Sequence, residues 1–413
     1  MKRNSSIMVV ILILMAGCGG CRKSNTSNDD SNSVSSKDTF IEVMPRDTFI
    51  TVDVSKQYPK KELILQDIMD VEYIALESSD EFVCQGIVLY IGKEIMLVRN
   101  RIEDGIIFIF DRNGKGLRKF NRRGQGPEEY LEYYWSFLDE DNGEIYVNQI
   151  MRPINVYDLH GKFLRKIDND EGWNRIFSFD SKCLIARERT DLFDNIPSNN
   201  QRFALLSKQD GSVVKDFRIY YEKKVEPLIK NSSGNAGAGA PILPVISYRD
   251  SWLLMEPSSD TIYRVTPDYN MTPFMARTPP IQSMKTGILL NPSIFTDDYY
   301  FLETVKLEYD LIRWEGFPTT NLAYDRIGNA IFEYTVYNDD FREKGPVNLA
   351  WQRTTNSEIA FFQLFEAHDL LEANEKGHLK GKLKEITAEL NEDSNPVIMI
   401  VKYMSGGRRL PTP

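Results

Sequence analysis

Histidine and cysteine are scarce here, three and four residues in a chain of 413. Scarcity of histidine removes the commonest acid-base and metal-ligating side chain. His160 falls in a turn pattern, His368 and His378 in a helical one, and none stands beside a serine or cysteine in a nucleophile-elbow setting. No Cys-x-x-Cys spacing occurs beyond residue 40, so no metal site is expected, and no catalytic residue or cofactor is nominated. Basic residues are outnumbered as well: 50 Lys and Arg against 60 Asp and Glu leave a net charge of -10, which argues against nucleic acid as a partner. Long apolar runs are missing too, since Ile7 to Met15 falls well short of the ~20 residues that a spanning helix requires.

What is present is a cadence. Phe110-Asp111-Arg112-Asn113-Gly114-Lys115 returns as Tyr157-Asp158-Leu159-His160-Gly161-Lys162, each copy a short apolar strand, a turn ending in glycine, and a second strand closing on Arg118-Lys119 or Arg165-Lys166. Further marks of the same kind stand at Gly211, at the Pro267-Asp268 turn and at Gly328, a period of roughly 50 residues that lengthens along the chain and predicts a propeller or solenoid. Strand-like segments fill the units, among them Ile106 to Phe110, Ile145 to Val147, Ile154 to Tyr157, Trp252 to Met255 and Thr261 to Val265, with Asn142-Gly143 as a hairpin turn. Upstream, Val71 to Leu76, Gly86 to Ile91 and Glu94 to Val98 lead into the first complete unit.

The C-terminal part differs. Leu379, Leu383, Ile386 and Leu390 are spaced as an amphipathic helix, and Phe361, Leu364, Phe365 and His368 form a similar stripe before a break at Gly377 and Gly381. A β run follows at about 396–404. A ring of blades needs its last strand paired with its first, because open edges aggregate. The expectation is therefore an all-β, six-bladed β-propeller over 40–413, with a helical insertion at about 358–392 and a closing strand that joins N-terminal sequence. Cys84 and Cys183 sit in strand-like contexts, either as two buried thiols or as a disulfide.

The N-terminus carries Lys2 and Arg3, then the short apolar run, which fits the core of a secretory signal over 1–17. Met15-Ala16-Gly17-Cys18 resembles the lipobox of bacterial lipoproteins. That resemblance implies cleavage before Cys18 and its lipidation, an anchor of two or more acyl chains. Residues 18–39, rich in Ser, Asn, Asp and Lys, have the composition of a flexible tether.

The succession Asp67 to Tyr73, Asn121 to Tyr130 with Gly124-Gln125-Gly126-Pro127 at its centre, Leu138-Asp139-Glu140 and Asn395-Pro396-Val397 resembles the six-bladed propeller lipoproteins of Gram-negative bacteria, which are related to NHL-type propellers. The resemblance implies six blades and an outer-membrane lipoprotein, periplasmic or surface-exposed. It supplies no catalytic residue. Gln125 and Glu128 in the glycine loop, and Tyr130, Tyr134 and Trp135 beside it, are the candidate ligand-binding side chains, although the loop also reads as a sharp interblade crossing and the aromatics as core. Asp139 to Glu144 suggests calcium, yet its ligand spacing departs from the EF-hand and suits a hairpin tip. The functional expectation is a lipid-anchored binding or scaffold module for an envelope protein or glycan. The alternatives are an envelope polysaccharide hydrolase or lyase, and a purely structural role.

Overall fold

The computed structural model describes residues 49–100, 104–131, 135–149, 152–169, 172–189, 199–231, 237–349 and 356–404. Its described chain opens with three short strands that do not pair with one another: β1 (Ile50–Asp53), β2 (Lys60–Ile64) and β3 (Asp70–Ala75), with one turn of helix, α1 (Leu65–Ile68), before the third. Three four-stranded antiparallel blades follow. Blade 1 is β4 (Ile87–Ile91), β5 (Ile95–Arg99), β6 (Ile106–Asp111) and β7 (Gly116–Asn121); blade 2 is β8 (Trp135–Asp139), β9 (Glu144–Asn148), β10 (Ile154–Asp158) and β11 (Phe163–Ile167). Blade 3 is β12 (Trp173–Ser178), β13 (Cys183–Glu188), β14 (Asn200–Ser207) and β15 (Val213–Tyr220).

A small hairpin, β16 (Leu228–Lys230) and β17 (Gly237–Gly239), precedes blade 4: β18 (Val245–Tyr248), β19 (Ser251–Leu254), β20 (Thr261–Val265) and β21 (Met271–Thr278). Blade 5 holds β22 (Ile288–Phe295), β23 (Tyr299–Lys306), β26 (Thr319–Asp325) and β27 (Ala330–Tyr337), with a second hairpin, β24 (Tyr309–Asp310) and β25 (Glu315–Gly316), between its second and third strands. The described part of blade 6 is β28 (Ile359–Phe365) and β29 (Val397–Lys402), with β3 paired antiparallel to β29 from Asp70–Lys402 to Ala75–Val397. The last strand is thus joined to N-terminal sequence, as ring closure demands.

Six apolar clusters show why the strands are so hydrophobic. Ile95, Leu97, Ile107 and Ile109 pack against Leu138, Ile145 and Val147 between blades 1 and 2, while Met96, Val98 and Phe108 pack against Ile398 and Ile400 between blades 1 and 6. Equivalent clusters fill the 2–3, 3–4, 4–5 and 5–6 interfaces. A strand with both faces buried reads as a continuous apolar run. The chain is a six-bladed β-propeller.

The glycine cadence has a steric cause. Gly114 has φ 83°, and a Cβ there would lie 2.1 Å from the Ala75 carbonyl oxygen at the end of β3. At Gly161 the added atom would meet the Phe120 ring at 2.6 Å, and at Gly211 the Ile167 side chain at 2.7 Å. Each turn therefore seats against the outermost strand of the preceding blade, and β3 fills that place for blade 6.

The stripe at Phe361, Leu364 and Phe365 belongs to a strand, not a helix. Phe361 faces the blade 5 interface and its neighbour Phe362 the blade 1 interface, so burial on two faces mimics helical spacing. The helical part starts later, with α2 (Ala367–Glu375) and α3 (Gly381–Thr387), separated by Gly377 at φ 71°. Leu370, Leu379 and Leu383 bury against Val397, with Ile386 and Leu390 packed beside them. Cys84 and Cys183 are both free, buried thiols. Burial pushes Cys84 up to about 11 and raises Cys183 as well, so both remain protonated and inert.

Candidate functional site: a pocket at the inner turns of blades 4 to 6

A pocket forms where three blades bring their turns together. Arg249 comes from the β18–β19 turn, Thr296, Asp297 and Asp298 from the β22–β23 turn, Ser357 from the approach to β28, and Tyr403 and Met404 from the end of β29. Ile68 and Phe295 complete the wall, and the cavity holds about 200 Å³. A recess of about 20 Å³, lined by Ser247, Ser293 and Asn356, opens behind Arg249, Ser357 and Tyr403. It has room for roughly one water molecule.

The two acids differ. Asp297 is engaged: Arg249 Nη2 donates to its Oδ1 at 2.7 Å, and Arg326 Nη1 donates to its carbonyl oxygen at 2.7 Å. Asp298 has no hydrogen-bond or ion-pair partner for its carboxylate among the described residues. Burial raises its pKa first, and the charges of Asp297 and Asp325 raise it further, against a smaller opposing pull from Arg326. An ionisable group displaced in this way within a concave site is a marker of function.

Arg249 is also held in the left-handed region at φ 54°, a conformation that costs a side-chain-bearing residue about 1–2 kcal/mol. Its guanidinium lies 5.6 Å from the Tyr248 ring centre. Strain of this kind persists where the surroundings over-determine it, and such places cluster at binding sites.

Of the residues singled out from sequence, none whose side chain the structure describes lines this pocket. Gln125 and Glu128 are exposed on the loop between β7 and β8. Tyr130 is fully buried and donates its hydroxyl to the Gly105 carbonyl at 2.6 Å. Asn155 and Tyr157 donate to the Glu129 and Glu128 carbonyls, which ties the loop down as a crossing between blades. Tyr134 and Cys18 fall outside the described residues, and of Trp135 the backbone is described as the start of β8.

Asp139 to Glu144 is a hairpin turn in which the Asp139, Glu140 and Glu144 carboxylates are occupied, the last by Arg165. Lys208 Nζ reaches the buried Asp139, and the Glu140 carboxylate accepts the amides of Glu94 at 2.7 Å and Ile95 at 3.0 Å. No group of three or more metal-ligating side chains occurs among the described residues, nor a helix long and apolar enough to cross a membrane.

Sequence reasoning missed Arg249, Asp297, Asp298 and Tyr403. Phe295-Thr296-Asp297-Asp298-Tyr299 looks like any polar turn between aromatic strands. Only the ring geometry gathers it with turns more than 40 and 100 residues away in sequence.

Comparison with solved structures agrees on the fold. A Bacteroides fragilis protein named as a candidate exported protein is 14% identical, with a TM-score of 0.59, over 87% of this chain and all of its own. Two weaker likenesses carry no argument. Hydrazine synthase of Kuenenia stuttgartiensis has a TM-score of 0.31 at 11% identity, over 58% of this chain and 80% of its own. An inactivated virginiamycin B lyase of Staphylococcus aureus has 0.33 at 11% identity, over 64% and 88%. No curated protein matches the sequence. A family profile does, across residues 49–402, which spans all six blades and every pocket residue but Tyr403 and Met404: the chain belongs to the family described as a domain of unknown function, DUF4934.

Proposed function

We propose that the protein is a lipid-anchored binding module of the cell envelope, and that the pocket at the inner turns of blades 4 to 6 receives one side chain of a protein partner. The observation that carries this reading is the pocket's size together with an Asp298 carboxylate that has no partner among the described residues. Sites for drug-sized ligands span about 300–1,000 Å³, so a cavity of about 200 Å³ suits a single side chain better than a run of sugar rings. Ile68, Phe295 and Tyr403 supply an apolar sleeve, with Asp298 as an acceptor on its wall. That chemistry fits a Lys or Arg whose methylenes lie along the sleeve and whose cation meets the carboxylate. A hydrolase would set two carboxylates on either side of a scissile bond, ~5–9.5 Å apart. Here the two acids are consecutive in one turn, and Asp297 is already bound to Arg249.

Anchorage rests on the Met15-Ala16-Gly17-Cys18 pattern, and an outer-membrane location rests on the same resemblance. Replacing Cys18 by Ala abolishes fatty-acid labelling and releases the protein from membranes washed with carbonate; retention after such washing contradicts the anchor. For the pocket, the purified chain is immobilised and offered an envelope extract and a glycan array. The expected result is a captured protein that Asp298→Ala loses, with a silent array. Capture unaffected by Asp298→Ala moves the site elsewhere, and a glycan bound in its stead overturns the choice of partner.

A further inference from the structure

The N-terminal strands lace the ring in order. β1 lies parallel to β21, the outermost strand of blade 4, and β2 lies parallel to β27, the outermost strand of blade 5, each as a fifth strand. β3 then serves as the outermost strand of blade 6. The covered strands β21 and β27 are both eight residues long. β15 of blade 3 is also eight residues long, yet it ends its sheet uncovered among the described residues, with Val214 and Tyr220 exposed. The outer strands of blades 1 and 2 are shorter, six and five residues, and each carries an adjacent Arg-Lys pair that guards an edge. Among the described residues, blade 3 thus has the long edge of a covered blade without the cover.

The sequence holds a matching strand. Asp47-Thr48-Phe49-Ile50-Thr51-Val52, which contains the start of β1, is preceded by Asp38-Thr39-Phe40-Ile41-Glu42-Val43, identical except for Glu42 in place of Thr51. The connection from Asp53 to Lys60 uses residues 54–59, and 44–49 would connect Val43 to Ile50 with the same length. We infer that the open edge of β15 is a docking site for Asp38–Val43 of the same chain, which adds in parallel as the fifth strand of blade 3.

The register follows from β1, where Ile50 is opposite Met275 and Val52 opposite Arg277. Those are the fifth and seventh positions of β21, and the same positions of β15 are Phe217 and Ile219. Ile41 then faces Phe217 and Val43 faces Ile219, both on the side where β15 is buried. Glu42 falls opposite Arg218, whose side is exposed. A charge pair already links a fifth strand to its neighbour in blade 5, where Lys60 lies 3.4 Å from its register partner Glu333. The substitution of Thr51 by Glu42 between the two copies is therefore explained by the neighbour each would meet, Ala276 or Arg218. The burial of Ile50 and Val52 shows what the copied side chains gain from such docking.

Hydrogen exchange of the full chain, read by mass spectrometry over Val213–Tyr220, tests the assignment. In the unaltered protein these amides exchange as slowly as those of Met271–Thr278, independently of protein concentration. The double substitution Ile41→Asp and Val43→Asp accelerates them about tenfold and leaves Met271–Thr278 unchanged. Glu42→Arg also accelerates them, and adding Arg218→Glu restores protection, which a merely disturbed fold would not do. Exchange at β15 that ignores all these substitutions overturns the proposal. Protection that appears only at high concentration overturns it too, since a second copy would then be the occupant.

Discussion

Blades 1 to 3 and blades 4 to 6 are built on one plan and finished differently. The first three are plain four-stranded sheets whose glycine turns recur at near-even spacing, and they hold each other through compact polar clasps such as Glu140 on the amides of Glu94 and Ile95. The second three are laced by the N-terminal strands, carry the extra hairpins and both C-terminal helices, and enclose the pocket. Regularity stabilises the scaffold, while irregularity creates the concave site. The left-handed Arg249 and the raised Asp298 both occur in the irregular half.

The largest effect should come from the regular half. Lys208 Nζ bridges Asp139 of blade 2 and Ser178 of blade 3, the latter at 2.8 Å, and both charged side chains are buried. Lys208→Ala strands a buried carboxylate and should lower unfolding free energy by about 3–5 kcal/mol in urea titrations. Arg249→Ala, whose pair with Asp297 is half exposed, should cost under about 1 kcal/mol. Equal losses would erase the distinction between scaffold and site.

Next in size is the closure interface. Ile400 is fully buried between blades 6 and 1, and Ile400→Ala should destabilise by about 2–5 kcal/mol. A loss as large as that for Ile109→Ala, between blades 1 and 2, would show the closing interface to be as tight as an ordinary one.

Glycine turns sharpen the same point. Gly114→Ala forces φ 83° on a residue with a Cβ and drives that atom into the Ala75 carbonyl, so its cost should exceed the ~1–2 kcal/mol of the dihedral alone. Gly143→Ala, where the nearest atom is 3.8 Å away, should show the dihedral cost only. Thermal unfolding of the two variants measures the difference.

The smallest expected effect is a pH dependence. Because Asp298 holds its proton more firmly when folded, the native state binds more protons than the unfolded one between the ordinary and the raised pKa. Stability from this group is present at low pH and falls as pH rises through that window. Asp298→Asn should flatten this slope and raise stability slightly at neutral pH. A slope unchanged by Asp298→Asn would place the titrating group elsewhere.

Much of the scaffold was legible because its determinants are local. Gly114, Gly161 and Gly211 must be glycine for reasons of φ and contact, and β29 reads as a strand from five consecutive apolar residues, Val397 to Val401. Phe361 to Phe365 misled because two buried faces imitate a helical stripe. The N-terminal lacing was partly hidden: β2 has just one buried residue, Leu63, and its partner lies some 270 residues away. The pocket was invisible for the same reason, since Arg249, Asp298 and Tyr403 meet only when blades 4, 5 and 6 pack side by side. The Gly124 to Tyr130 loop drew attention by composition, yet its tyrosine serves the core.

Native-state hydrogen exchange of β29 against β9 tests the closed ring most directly. If β3 locks blade 6 as the other blades are locked, the slowest amides of Ile398 to Val401 and of Ile145 to Val147 share one opening free energy, that of global unfolding. Opening of β29 at several kcal/mol below β9 would contradict closure and leave blade 6 a loosely held end.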